Sequence, residues 1–128
     1  SIKMIEVAKQ KQVYHKLNQT EIIDYLTNNA LNFDFFLAAD VFIYIGDLYE
    51  VFRLIKERNK KSGKLLFSIE LTDEDGYYLE KSGRYSHSAK YIGSLCSEFG
   101  FSIENFKKLP IRKNNKQYIS GALYNLSF

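Results

Sequence analysis

FDFFLAADVFIYIGDL, Phe33 to Leu48, is the stretch whose reading decides the fold. Its first part, Phe33 to Ala39, is a short, nearly continuous apolar run bounded by Asn32 and Asp40. Such a run predicts a strand covered on both faces, as in a parallel sheet with helices above and below. Its last part opens a helix. Asp47 and Glu50 have capping-box spacing, and Leu48, Val51, Phe52 and Ile55 form one apolar stripe. Arg53, Lys56, Glu57 and Lys60 take the wet side, and Ser62 with Gly63 ends the helix.

Outward from this stretch the elements alternate. On the N-terminal side, Ile2, Met4, Ile5 and Ala8 give a helix over Ser1 to Lys11. An extended piece follows near Val13 to Leu17. Glu21 to Asn28 reads as a second helix, with Ile22, Tyr25 and Leu26 inward and Thr20 as its cap. On the C-terminal side, Lys64 to Leu71 is a strand and Thr72 to Tyr85 a long polar loop. Ser88 to Phe99 is a helix with Ile92, Leu95, Cys96 and Phe99 on one face, stopped by Gly100. Phe101 to Phe106 and Tyr118 to Phe128 close the chain as two strands, antiparallel to each other. The alternation predicts an α/β layer fold with a mostly parallel sheet and an antiparallel C-terminal strand pair.

Bulk properties narrow the function classes. The 128 residues suffice for one domain, and 16% aromatic content, all Tyr and Phe, supplies a large-side-chain core. A net charge of +3 permits an acidic partner without demanding one. The one cysteine, Cys96, forms no internal disulfide and fits a reducing compartment, so a cytoplasmic location is expected. No apolar run is long enough to span a bilayer as a helix. His15, His87 and Cys96 are too scattered for a metal site, and none is expected. Asp73, Glu74 and Asp75 lack calcium-loop spacing.

Four pieces together resemble class I S-adenosylmethionine-dependent methyltransferases. Phe33 to Leu48 is similar to that family's fourth strand and the turn after it. KSGKLLFSIE, Lys61 to Glu70, is similar to its fifth strand and preceding turn. SGRYSHSAKYI, Ser82 to Ile92, and GFSIENF, Gly100 to Phe106, continue the likeness. It is closest to a bacterial branch often fused to tetratricopeptide repeats. The resemblance implies a truncated Rossmann-like methyltransferase sheet over residues 1–128, a single incomplete domain holding the C-terminal part of the fold. The family's first strand, glycine-rich turn and ribose-binding carboxylate would all precede Ser1, in a fragment or in a shortened relative. No two glycines here are close enough for a GxG turn, which lets backbone approach the cofactor. Weak or absent S-adenosylmethionine binding is therefore expected of this chain alone. The family's first strand lies between its fourth and second. Its absence would leave one edge of strand 33–39 unpaired. A homodimer is expected across that edge or by exchange of N-terminal elements.

The resemblance places the adenine-side acidic residue at Glu21, with Gln19 and Thr20 beside it. Alternatively, Glu21 is a first-turn carboxylate favoured by the helix dipole. Asp40, after the small Ala38 and Ala39, sits where ligands bind an open α/β sheet. It either touches cofactor or acceptor or caps the turn. Tyr44 either lines the pocket or is a buried ring with a wet tip. Arg84, Tyr85 and His87 cluster after the loop and are candidates for orienting an acceptor, with Tyr85 or His87 taking its proton. The plainer reading makes Tyr85 a core plug and His87 a helix-start residue. Lys56 to Lys64 and Arg112 to Lys116 read as solvated surfaces, and a nucleic-acid partner is not expected. The candidate functions are thus methyl transfer to an unidentified acceptor, a non-catalytic dimeric interaction module, and, more weakly, an RNA-binding accessory domain.

Overall fold

The computed structural model describes residues 2–12, 20–28, 32–114 and 117–128. Its helices are α1 (Ile2–Lys11), α2 (Ile22–Leu26), α3 (Tyr49–Arg58) and α4 (Ala89–Phe99). Its strands are β1 (Phe33–Ala38), β2 (Asn59–Leu71), β3 (Tyr77–Leu79), β4 (Tyr85–His87), β5 (Ser102–Asn114) and β6 (Gln117–Ser127). The extended piece expected near Val13 lies outside the described residues.

The strands form one sheet in the order β3-β4-β2-β6-β5, with β1 also paired to β2. The expected mostly parallel, Rossmann-like sheet does not form. Only β1–β2 and β2–β4 are parallel among the described ladders; β2–β6, β3–β4 and β5–β6 are antiparallel. The reason lies in the connections. Parallel neighbours usually need a helical crossover, whereas antiparallel neighbours need only a turn. Helix α3 makes such a crossover between β1 and β2. The polar stretch 72–85 contains the short strand β3, which pairs back onto β4. The C-terminal hairpin then adds two long antiparallel ladders.

Side-chain alternation on β2 puts Leu65, Phe67 and Ile69 into the core. They meet Val51, Phe52 and Ile55 of α3, Ile92 and Leu95 of α4, and Ala122, Tyr124 and Leu126 of β6 in one buried cluster. The rings of Phe67 and Tyr124 stack at 4.9 Å, and Phe52 meets Phe67 and Phe101 edge-on at 5.7 and 5.6 Å. The helical stripe expected from Leu48 to Ile55 is fully buried. Leu48 rather than Asp47 occupies the cap position of α3, and Asp47, just before it, accepts at Oδ1 from Tyr49 N at 3.0 Å. Glu50 does not close a capping box; it pairs with Arg53 at 2.8 Å. Helix α3 ends at Arg58 rather than at the expected Ser62 and Gly63, and β2 begins at once with a register break: Phe33 pairs with Asn59, but Phe35 pairs with Lys64. Helix α4 stops at Gly100 as expected, and Ser88, read as its first residue, is its cap. Ser88 Oγ accepts from Tyr91 N at 3.0 Å, and Gly100 closes the helix at φ 75°. A left-handed residue there favours glycine.

Strand β1 is not covered on both faces. Ala38 is buried, yet Phe35 is 63% and Leu37 76% exposed. Helix α1 buries no residue, and Ile2, Met4 and Val7 are exposed.

Candidate ligand site at the carboxyl ends of the parallel strands

Strands β1, β2 and β4 run the same way, so Ala38, Leu71 and His87 end at one rim. Ligands of open α/β sheets bind outside this rim. Beyond β1 the chain turns through Ala39 and Asp40, and Asp40 takes φ 54°. That left-handed conformation is uncommon outside glycine, although Asp tolerates it better than most residues. Asp40 N–H donates to Ser68 Oγ of β2 at 3.0 Å, which fixes the turn against the neighbouring strand. A 3-10 turn, Phe42–Tyr44, follows. It anchors through buried Phe42 and Ile43 and leaves Tyr44 68% exposed.

The loop after β1 is clamped from β4 and α4. His87 is 0% exposed, and its Nε2 lies 2.9 Å from Ile45 O and 3.1 Å from Gly46 O. Two carbonyl acceptors require Nε2 to carry the proton, so the ring is a donor in its neutral form. Nδ1 is buried and without a hydrogen-bond partner among the described residues. Burial holds the imidazolium pKa below its ordinary value, outweighing the two carbonyls. Tyr91 continues the clamp. Its hydroxyl oxygen accepts from Leu48 N at 2.8 Å, and its O–H faces Asp47 Oδ1 at 3.3 Å. Burial first, then the Asp47 charge, pushes this phenol up to about 12. Gly46 passes between rings: an added Cβ would lie 2.7 Å from Tyr85 Cε1 and 2.8 Å from Tyr77 Cδ2. Only glycine fits there without displacing aromatic side chains.

The expected site residues separate into three groups. Ala39, Asp40 and Tyr44 lie together on the exposed turn after β1. Tyr85 and His87 are joined to the same loop, but from beneath, as packing and hydrogen-bonding partners of Gly46. Thr20 and Glu21 are exposed at the start of α2. Glu21, not Thr20, occupies the cap position, and its side chain makes no capping hydrogen bond. Arg84 is engaged inward, its Nε 2.8 Å from Oε2 of the buried Glu70. Sequence reasoning did not single out Tyr77, Tyr91, Gly46 or Ser68. Of these, only Gly46 carried a signal, as the one glycine between the strand and Asp47.

An apolar groove of ≈ 250 Å³ opens between α2 and β1, lined by Ile22, Tyr25, Phe36, Ala38 and Phe42 among others. Gly46, Gly63 and Gly121 are filled against side chains, whereas a Cβ added at Gly76, Gly83 or Gly93 would meet nothing within 4 Å. Among the described residues, no three His, Cys, Asp or Glu cluster as a metal site.

Comparison of the whole fold with solved structures decides what this arrangement is like. An S-adenosylmethionine-dependent methyltransferase structure from Listeria monocytogenes superposes with a TM-score of 0.76 at 14% identity, over 99% of this chain and 76% of that one. The chain has a class I methyltransferase-like fold. A second methyltransferase of this fold, from Methanosarcina mazei, matches with a TM-score of 0.60 and 18% identity, over 80% of this chain and 63% of that one. The cyclase SpnF matches with a TM-score of 0.76 and 12% identity, over 96% of this chain and 60% of its own. The chain thus spans less than two thirds of the length of the last two. No family model and no curated protein matches the sequence. The likeness to a methyltransferase fold does not extend to one branch of the family, and the cyclase illustrates that the fold alone does not name a reaction.

Proposed function

We propose that this chain forms the acceptor-side part of an S-adenosylmethionine-dependent methyltransferase, its sequence resembling a bacterial branch often fused to tetratricopeptide repeats. The observation that carries this reading is the strained turn at Asp40, at the carboxyl rim of a sheet whose fold matches methyltransferases over nearly the whole chain. Asp40 and Tyr44 face solvent there and would line the acceptor space. The groove beside α2, with Thr20 and Glu21 at its entry helix, would take the adenine end. Tyr85 and His87 would act through the loop they hold. A buried neutral His87 suits positioning better than accepting a proton from an acceptor at the rim. Binding of the cofactor by this chain alone is expected to be weak or absent, because no two of its glycines have the spacing of a GxG turn. The buried free Cys96 supports placement in the cytoplasm. Among the described residues no helix is long and apolar enough to cross a membrane.

A second reading is a non-catalytic module that pairs with its own copy. The bare face of β1 and the bare helix α1 favour it, through pairing at strand 33–39 or exchange of N-terminal elements.

Backbone NMR during titration with S-adenosylhomocysteine separates the two. The methyltransferase reading expects fast-exchange shifts at residues 20–22 and 38–46, saturating only at high ligand. Shifts absent or confined elsewhere would leave the module reading. Submicromolar affinity would overturn the expectation of weak binding.

A further inference from the structure

The last hairpin of this chain is strongly basic, as is the segment from Lys56 to Lys64. Residues 105–128 carry Lys107, Lys108, Arg112, Lys113 and Lys116 and no acidic residue, while the whole chain is only +3. The rest is therefore net negative. Strand β6 pairs with β2 only from Gly121 to Ser127, but with β5 it pairs back to Gln117. The hairpin tip thus runs past Glu70 as a two-stranded ribbon, with no third strand beside it among the described residues. It leaves the sheet at the carboxyl end of β2, the same rim that carries Asp40.

Register decides which side chains share a face. Phe106 stands opposite the core-facing Tyr124, and Lys108 opposite Ala122. The register shifts between Pro110 and Arg112, after which Lys113 stands opposite Tyr118. Alternation along β6 puts Tyr118 on the face of Ala122. One face of the ribbon therefore presents Lys108, Lys113 and Tyr118 in line, with Phe106 at its base. Lys113 Nζ lies 5.8 Å from the centre of the Tyr118 ring, and Tyr118 is 68% exposed. Linear spacing hides this grouping, because the residues lie on two strands and the bulge resets their alternation.

We propose that this ribbon face binds single-stranded nucleic acid. The lysines neutralise phosphates and the Tyr118 ring stacks on a base. An exposed ring beside cations selects a ligand with both charge and π-faces; an acidic peptide offers charge alone. The proposal stands apart from the methyl-transfer reading, and either can fail without the other.

The test is fluorescence anisotropy of the full chain with a labelled single-stranded RNA of roughly 16 nucleotides. Salt is varied between about 50 and 200 mM. Wild type binds with affinity falling steeply as salt rises. Lys108→Gln with Lys113→Gln lowers the log–log salt slope by about 1.4, at about 0.7 for each phosphate left without its lysine. Tyr118→Ala weakens binding at least about fivefold. Lys3→Glu with Lys9→Glu, on α1, leaves it unchanged. All these side chains are exposed, so each variant should keep the wild-type circular dichroism spectrum. The proposal is overturned by absence of salt-dependent binding, by ribbon variants that bind like wild type, or by polyglutamate competing as well as RNA.

Discussion

Strands β1 and β2 lie side by side and are both apolar, yet their side chains meet different surroundings. On β2, Leu65, Phe67 and Ile69 are sealed between α3, α4 and the aromatic rings. On β1, only Ala38 is buried, while Phe35 and Leu37 face outward. The core needs apolar residues on one side of the sheet; the other side of β1 is equally apolar and has no cover among the described residues. An exposed apolar strand with an open edge marks a contact surface more often than a defect.

Five variants bear on this contrast and on the clamped loop beside it. Phe52→Ala removes a ring packed against Phe42, Phe67 and Phe101. It should cost about 3–5 kcal/mol in urea denaturation. Phe35→Ala should cost less than about 1 kcal/mol under the same conditions, because the side chain is mostly exposed already. Similar costs would erase the distinction between the two strands. Gly46→Ala forces the Tyr85 and Tyr77 rings apart and should cost about 1–3 kcal/mol, read as a lowered thermal midpoint.

Acidification should act on the clamp. His87 has a folded pKa below its ordinary 6.5, so near that pH the unfolded chain binds a proton that the folded chain refuses. Stability is complete above 6.5 and is lost as pH falls toward the folded pKa. His87→Gln should flatten that slope; an unchanged slope would remove His87 from the account. The smallest effect is expected at Leu37→Arg, which should shift the monomer's stability by no more than about 0.5 kcal/mol.

Much of the helical framework was legible in the sequence, because α3 and α4 announce themselves by their apolar stripes. Ser88 and Gly100 mark both ends of α4 through local chemistry that needs no tertiary partner. The sheet was less legible. Residues 77–79 and 85–87 are too short to stand out as strands, and the β3–β4 ladder adds to the antiparallel β2–β6 and β5–β6 pairs. Apolar content alone could not tell whether Phe35 and Leu37 were covered. In the candidate site, Asp40 was legible from its place after a small-residue strand end. The role of His87 was not, since burial and the Ile45 and Gly46 carbonyls come from a segment some forty residues away.

A second copy is proposed to dock along strand 33–39, across its edge or by exchange of N-terminal elements. Size-exclusion chromatography with light scattering at micromolar concentration tests this most directly. Wild type should elute at twice the chain mass of 15.0 kDa, and Leu37→Arg at the single mass with its fold intact. A wild-type protein that stays monomeric there would contradict the account.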